Sequence, residues 1–325
     1  MCISLNSCGG VKRYSSTFID YFDTVTTVTG YFNSNEEFDV CLGKIKKFLE
    51  NYHKMFDIYD NYDKMSNIKT INDNAGVKPV KVSGEIIELL EFSISTYDLT
   101  DGMVNVCAGP LIKQWKGSLE NKKIPSAKEI ENANKCISID NLVIDKENQT
   151  VYLSKKQCSI DVGAVAKGFV CEKLYDYAKS IGFENGIINL GGNVLAIGLK
   201  NENEKFSVGI ANPQDTSKNI YTVSVSNENI VTSGDYERYY EVDGVRFNHI
   251  INPKMLKPAD NNKAVTIISK DGALADALST ALFIMPSQNG LELVNKIENC
   301  EALIIDNTGA KHFSNGFKKY IHKGA

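Results

Sequence analysis

The tightest constraint on the fold of this chain is a two-residue turn. "EVDGVRF" (241–247) sets Asp-Gly between two short β-forming runs. That pair selects a type I′ hairpin, because both central residues take positive φ. "GIINLGGNVLAIG" (186–198) is an apolar strand that turns at Gly191 and Gly192. Further strand-like runs follow: "YTVSVS", "NIVTSG", "YERYYEV", "VRFNHIINP", "AVTIIS" and "EALIIDNTGA". Hairpins join antiparallel neighbours, which argues against a doubly wound parallel sheet. Helical patterns are interspersed among them, so the expected class is α+β, with mixed, antiparallel-rich sheets and flanking helices.

The helices are read from apolar spacing. "NEEFDVCLGKIKKFLENYHKMF" (35–56) carries a stripe of Phe38, Leu42, Ile45, Phe48 and Leu49. "SGEIIELLEFSISTYDLTDG" (83–102) offers Ser83 as a cap and Thr-Asp-Gly as a stop. The charged stretch 121–148 holds one short helix near 127–134, and "GFVCEKLYDYAKSIG" (168–182) is amphipathic with Gly182 at its end. "FIDYFDTVTTVTGYF" (18–32) reads as a strand, and "CSIDVGAVAKG" (158–168) as a strand running into a turn. One domain is expected over 18–325, after a leader or linker over 1–17.

Charge narrows the function. Lys plus Arg number 36 against 40 Asp plus Glu, a formal charge of −4. That balance gives no field for nucleic acid, and no partner of that class is expected. Apolar runs are broken by charges well before about 18 residues, too short to span a bilayer. The eight cysteines form no C-x-x-C pair and read mainly as small buried hydrophobes. "SLNSCGG" (4–10) looks like the end of a lipoprotein signal, with Cys8 as the lipid-bearing residue. The basic start and the apolar run of about 7–15 residues that precede such a cysteine are missing. Either the start is truncated or shifted, or the match is accidental.

The chemistry begins with "DGALADALSTALF" (271–283), an apolar helix containing Asp276. A buried carboxylate needs a partner or must stay protonated. Asp276 and Thr280 lie four apart on the face opposite Leu274, Leu278 and Leu282, and offer two hard oxygens suited to Mg²⁺. The plainer alternative is that Asp276 accepts from a buried backbone amide. In "DVGAVAKG" (161–168), Gly163 and Gly168 permit close backbone approach, and Lys167 brings a charge for phosphate at the start of a helix. It is not a Walker loop. "NLGGN" (189–193) suits a backbone running beneath a ring or phosphate, or simply a turn. His249 in "FNHIINP" is a core histidine or, near a metal and a phosphate, a general base. "TSGDYERY" (232–239) packs more polar residues into a strand entry than core packing requires.

Taken in order, "DVGAVAKG", "INLGGN", "VTSGDYERY", "HIINP" and "ADALSTALF" closely resemble the ApbE family of FAD:protein FMN transferases, over about Phe18 to Ala310. The resemblance implies an ApbE-like (T-fold-like) architecture and an extracytoplasmic, Mg²⁺-dependent transferase. Such an enzyme cleaves FAD and attaches FMN by a phosphoester to a Thr or Ser of a target flavoprotein, releasing AMP. The targets expected are redox-pump or reductase subunits, and a membrane-anchored lipoprotein is the expected form, with a cytoplasmic location as the alternative. By position, the resemblance makes Asp276, Thr280 and the Ala164 carbonyl the metal ligands. It puts FAD against Phe22, Tyr59, Met103, Val104, Asn105, Asp161, Lys167, Gly191, Gly192, His249 and Ile251. His249, Asp276 and Lys167 are the catalytic candidates, and the base is either His249 or a metal-proximal carboxylate.

Tyr62 competes with Tyr59 for the place against the ring. Two departures stand out. Asn105 occupies a position where many members carry aspartate, and "NPKMLKPAD" lacks the usual Thr-Gly pair after the proline. An FAD pyrophosphatase and a non-catalytic FAD-binding protein are the competing functions, the latter favoured only by Asn105.

Overall fold

The computed structural model describes residues 10–322. Its centre is an eight-stranded antiparallel sheet in the order β1 (Lys12–Phe18), β2 (Thr26–Phe32), β6 (Gly186–Leu190), β7 (Asn193–Ile197), β10 (Glu228–Gly234), β15 (Asn262–Ser269), β16 (Cys300–Asp306) and β17 (Lys311–Phe313). The hairpin reading of Gly191 and Gly192 holds. They join β6 to β7 with φ of 54° and 93°.

Both faces of the sheet are covered, which explains its nearly continuous apolar strands. Ile230, Ala264, Ile268 and Leu303 face one core, built with the hairpin β8 (Phe206–Asn212) and β9 (Asp215–Val225). Their chain neighbours Val231, Val265, Ile267 and Ile304 face the other core, because side chains alternate along a strand. On that second face lie α1 (Asn35–Phe56), α6 (Ala166–Ser180) and α7 (Gly272–Ile284). Peripheral elements are α2 (Ile68–Asp73), α3 (Gly84–Leu99), α5 (Ala127–Asn134), α8 (Ser287–Val294) and a small sheet of β3 (Val80–Lys81), β5 (Thr150–Leu153) and β4 (Leu142–Asp145).

A third, smaller cluster flanks these layers. In it α4 (Gly109–Glu120) packs Leu111, Trp115 and Leu119 against Val242, Tyr240 and Phe247 of the hairpin β11 (Tyr239–Val242) and β12 (Val245–Asn248). Asp243 and Gly244 turn that hairpin at φ 50° and 75°, as Asp-Gly requires. The short pair β13 (Ile251–Asn252) and β14 (Lys257–Pro258) follows it.

Four expectations are corrected. Residues 12–18 form an edge strand of the main sheet, so the sheet begins inside the stretch read as leader, 1–17. The run 18–32 is not one strand, because Phe22 and Asp23 adopt positive φ and reverse the chain between β1 and β2. Residues 158–162 form no strand; they thread between the α4 start and α2, where Asp161 N–H bonds the Val106 carbonyl and Ile160 N–H bonds Asn72. Ser83 begins α3 without capping it, since its hydroxyl lies against Met55 sulfur at 3.4 Å. The six described cysteines are free and buried, as expected; Cys2 and Cys8 lie outside the described residues.

Candidate active site

The two glycine-bearing motifs meet where α6 begins. α7 crosses α6 so closely that a side chain on Gly168 would collide with Asp276 Cβ and the Gly272 carbonyl. The approach lets Gly168 N–H donate to Asp276 Oδ2 at 2.7 Å. One of the unpaired amides at the start of α6 is thereby capped by a residue of another helix. The arrangement is reciprocal, because Gly272 N–H at the start of α7 donates to Glu172 Oε2 of α6, also at 2.7 Å. Asp276 is only 4% exposed. Burial pushes its pKa up, against the opposing charge of Lys167, the Gly168 amide and the Asn193 amide.

Asp276 lines a cleft of ≈ 670 Å³. The same cleft is lined by Phe22, Tyr59, Met103, Val104, Asn105, Asp161, Ala164, Lys167, Gly191, His249, Ile251 and Thr280. Segments scattered over the chain thus converge on one space. Gly192 is the exception among the candidates and does not line it. Its amide turns to Asn189 Oδ1 at 3.0 Å, so only the first glycine of the β6–β7 turn borders the cleft. Gly191 is needed there because a side chain would run into Thr24.

Of the two tyrosines, Tyr59 borders the cleft. Tyr62 donates to Asp57 Oδ2 at 2.6 Å and does not border the cleft. Tyr59 stays 56% exposed at the rim, with Lys116 Nζ 3.2 Å from its hydroxyl. Asn105 is committed to the fold at both ends, accepting from Cys107 N–H at 2.9 Å and donating to the Ile137 carbonyl at 2.8 Å. A carboxylate there would accept the first bond but not make the second. In "NPKMLKPAD", Leu256 takes φ 58°, and its carbonyl receives Trp115 Nε1–H at 2.9 Å. A β-turn is therefore made without the glycine. Asp161 accepts from Gly163 N–H at 2.9 Å, and burial raises its pKa against the nearby Lys116 charge.

His249 sits in the break between β12 and β13 rather than on a strand. Its Nδ1 lies 3.1 Å from the Arg238 carbonyl. A carbonyl only accepts, so Nδ1 carries the proton and Nε2 keeps its lone pair. The residue is exposed to the cleft, and the protein groups around it displace part of its solvent. That desolvation pushes its pKa down to about 4, aided by the charges of Arg238 and Lys167 and opposed by the carbonyl bond. At neutral pH it is a neutral imidazole.

Among the cleft residues that the sequence pattern does not single out are Asn193, Glu237 and Arg238. The last two lie in "TSGDYERY", whose polarity was the only signal. Residues 235–238 form a turn, not the strand start that the pattern suggested. Glu237 is pushed up to about 7, mainly by burial, with Lys167 and Arg238 opposing and Asp276 reinforcing.

The donor chemistry fits a hard divalent cation. Because Gly168 N–H is given to Asp276, no described N–H bonds the Ala164 carbonyl. No described group bonds the Thr280 hydroxyl, and Asn193, whose amide nitrogen is 3.3 Å from Asp276 Oδ1, keeps a buried carbonyl oxygen without a partner. All are oxygen donors, as Mg²⁺ requires. Among the described residues no group of three or more His, Cys, Asp or Glu is gathered for a metal.

Fold and cleft together define an α+β protein whose cleft is lined by aromatic side chains (Tyr59, Trp115, Tyr240) together with carboxylates and a lysine. A family model described as the ApbE family matches residues 22–304, and the chain belongs to that family. An FAD:protein FMN transferase of Klebsiella pneumoniae is 31% identical over 242 residues, covering 74% of this chain and 75% of that protein. One from Treponema pallidum is 31% identical over 255 residues, covering 74% and 70%. The crystal structure of the ApbE protein of Thermotoga maritima superposes with a TM-score of 0.86 at 29% identity, covering 96% of this chain and all (100%) of that one.

Proposed function

We infer that this chain is an FAD:protein FMN transferase, moving FMN from FAD to a hydroxyl of an acceptor flavoprotein and releasing AMP. The observation that carries the reading is Asp276: one oxygen is used by the Gly168 amide, and the other sits beside Asn193 in a cleft that also holds Lys167 and aromatic side chains. Such a site suits a ligand with flat rings and a pyrophosphate.

Mg²⁺ held by Asp276, Thr280 and the Ala164 carbonyl would supply charge neutralisation on the pyrophosphate. Lys167 adds a fixed positive charge in the same cleft. Tyr59 offers its exposed face to a ring, and Asp161 and Asn105 line the cleft on the α4 side. The acceptor hydroxyl oxygen attacks the FMN phosphorus as the bond from phosphorus to the AMP-side oxygen breaks. His249 Nε2 accepts the hydroxyl proton. A bound pyrophosphate offsets the charges of Lys167 and Arg238 that depress this histidine, and so makes it a better base in the complex than in the free protein.

The acceptor is a Thr- or Ser-bearing flavoprotein of a redox pump or reductase, and the site of action is extracytoplasmic, with lipid on Cys8 as anchor. Support for the location is the "SLNSCGG" segment and the family resemblance. No described helix is long and apolar enough to cross a membrane. Lipid labelling of the expressed chain and its Cys8→Ala variant tests the anchor.

The activity is tested by incubating the protein with FAD and a threonine-bearing acceptor domain, with and without Mg²⁺, following AMP and acceptor mass together. An acceptor heavier by one FMN only with Mg²⁺ is the expected result. AMP and free FMN without labelling would make the protein a pyrophosphatase; bound, intact FAD would make it a flavin-binding protein.

A further inference from the structure

The loop between β1 and β2 contains two consecutive non-glycine residues in the left-handed region, Phe22 at φ 57° and Asp23 at φ 50°. That region is disfavoured for L-residues, most of all for a bulky aromatic. Both residues border the cleft, as do Thr24 and Val25. Strain at such a place persists only where the surroundings over-determine the conformation.

Within the backbone, Thr24 N–H bonds the Tyr21 carbonyl at 3.4 Å and Gly191 N–H bonds the Val25 carbonyl at 3.1 Å. Phe22 N–H points at His53 Nδ1 at 3.3 Å, and the two rings meet edge-on at 5.5 Å. Thr24 packs against Gly191, where no Cβ fits. Arg238 adds a tie from far along the chain, its Nη2 donating to the Asp23 carbonyl at 2.9 Å. Arg238 has a second task. Its own carbonyl receives both the backbone N–H and the Nδ1–H of His249, each at 3.1 Å. One residue therefore links the strained loop to the proposed base across the cleft.

We propose that Arg238 is a positioning residue, whose guanidinium holds the Phe22–Asp23 turn in its cleft-lining conformation and in register with His249. For the consequence on FAD this rests on the transferase reading above; for the loop itself it does not. Hydrogen exchange of the ligand-free protein and steady-state kinetics with FAD test it in Arg238→Lys, Arg238→Met and the double variant Arg238→Met with Asp23→Gly. Lysine keeps the charge but not the guanidinium fork that reaches the carbonyl.

Both single variants should speed exchange over residues 21–25 about fivefold and raise KM for FAD by a similar factor, the effect falling on KM rather than kcat. Adding Asp23→Gly should recover part of the KM loss, since glycine takes positive φ without strain. Unchanged exchange in Arg238→Met would overturn the proposal. So would a wild-type KM in Arg238→Lys beside a raised one in Arg238→Met, which would make Arg238 a simple charge on an anionic ligand. Should the wild type fail to turn over FAD, the transferase reading falls, while the exchange result still decides the clamp.

Discussion

Asp276 on α7 and Glu172 on α6 do the same structural job in different surroundings. Each lies four residues after a glycine of its own helix and accepts a 2.7 Å hydrogen bond from the first turn of the other helix. Each has its pKa raised first of all by burial. Glu172, however, is surrounded by Asp271, Asp176 and Lys173 and lies outside the cleft. Asp276 borders the cleft, with Lys167, Asn193 and Thr280 around it. A carboxylate drawn partly out of water is thus explained by capping alone, as Glu172 shows on the amphipathic α6. What makes Asp276 a ligand candidate is where its second oxygen lies.

The comparison is broken most severely at Asp276. Asp276→Asn keeps an oxygen for the Gly168 amide and removes the charge, so it should lower Mg²⁺-dependent FMN transfer by about 10³-fold. It should also abolish any Mg²⁺-induced rise in Tm while leaving circular dichroism unchanged. Transfer within tenfold of wild type would end the metal assignment. Next in size is Gly168→Ala, which forces the two helices apart and should cost about 2–3 kcal/mol in chemical denaturation. Glu172→Gln should cost about 1 kcal/mol of stability through a weaker cap, yet leave transfer within about twofold. A large loss of activity there would mean that the two carboxylates are not separable.

The smallest effect sharpens the electrostatics of the cleft. Desolvation at the cleft pushes the Glu237 carboxyl up to about 7 from an ordinary 4.5, although the side chain stays exposed. The folded state therefore binds the extra proton between those values, and the stability linked to it is present below 4.5 and lost as pH rises through 7. Glu237→Gln should leave Tm unchanged near pH 4 and raise it by about 1–2 °C near pH 8, a small shift because the side chain is open to the cleft. An equal Tm difference at both pH values would mean that Glu237 is not held protonated by its surroundings.

Much of the fold was legible because its signals are local. The helices at 35–56 and 127–134 and the Asp-Gly hairpin follow from apolar spacing and turn chemistry. The errors fell where tertiary contacts override local preference. Residues 18–32 alternate like one strand, but Arg238 and His53 hold Phe22 and Asp23 in a reversal that neither would adopt alone. Residues 158–162 have strand composition but find their hydrogen-bond partners in α2 and the start of α4.

The sequence by itself determined the α+β class, the residue types of the site, and the oddity of a carboxylate at 276. It carried these because periodicity, turn residues and side-chain chemistry are written residue by residue. Only the tertiary structure decided that Asp276 divides its oxygens between an amide and the cleft. It alone put Tyr59 and not Tyr62 at the cleft, turned Gly192 away, and brought Glu237, Arg238 and Asn193 to the same cleft. Those outcomes depend on which distant backbone groups need a partner once the helices have crossed, and no spacing along the chain encodes that.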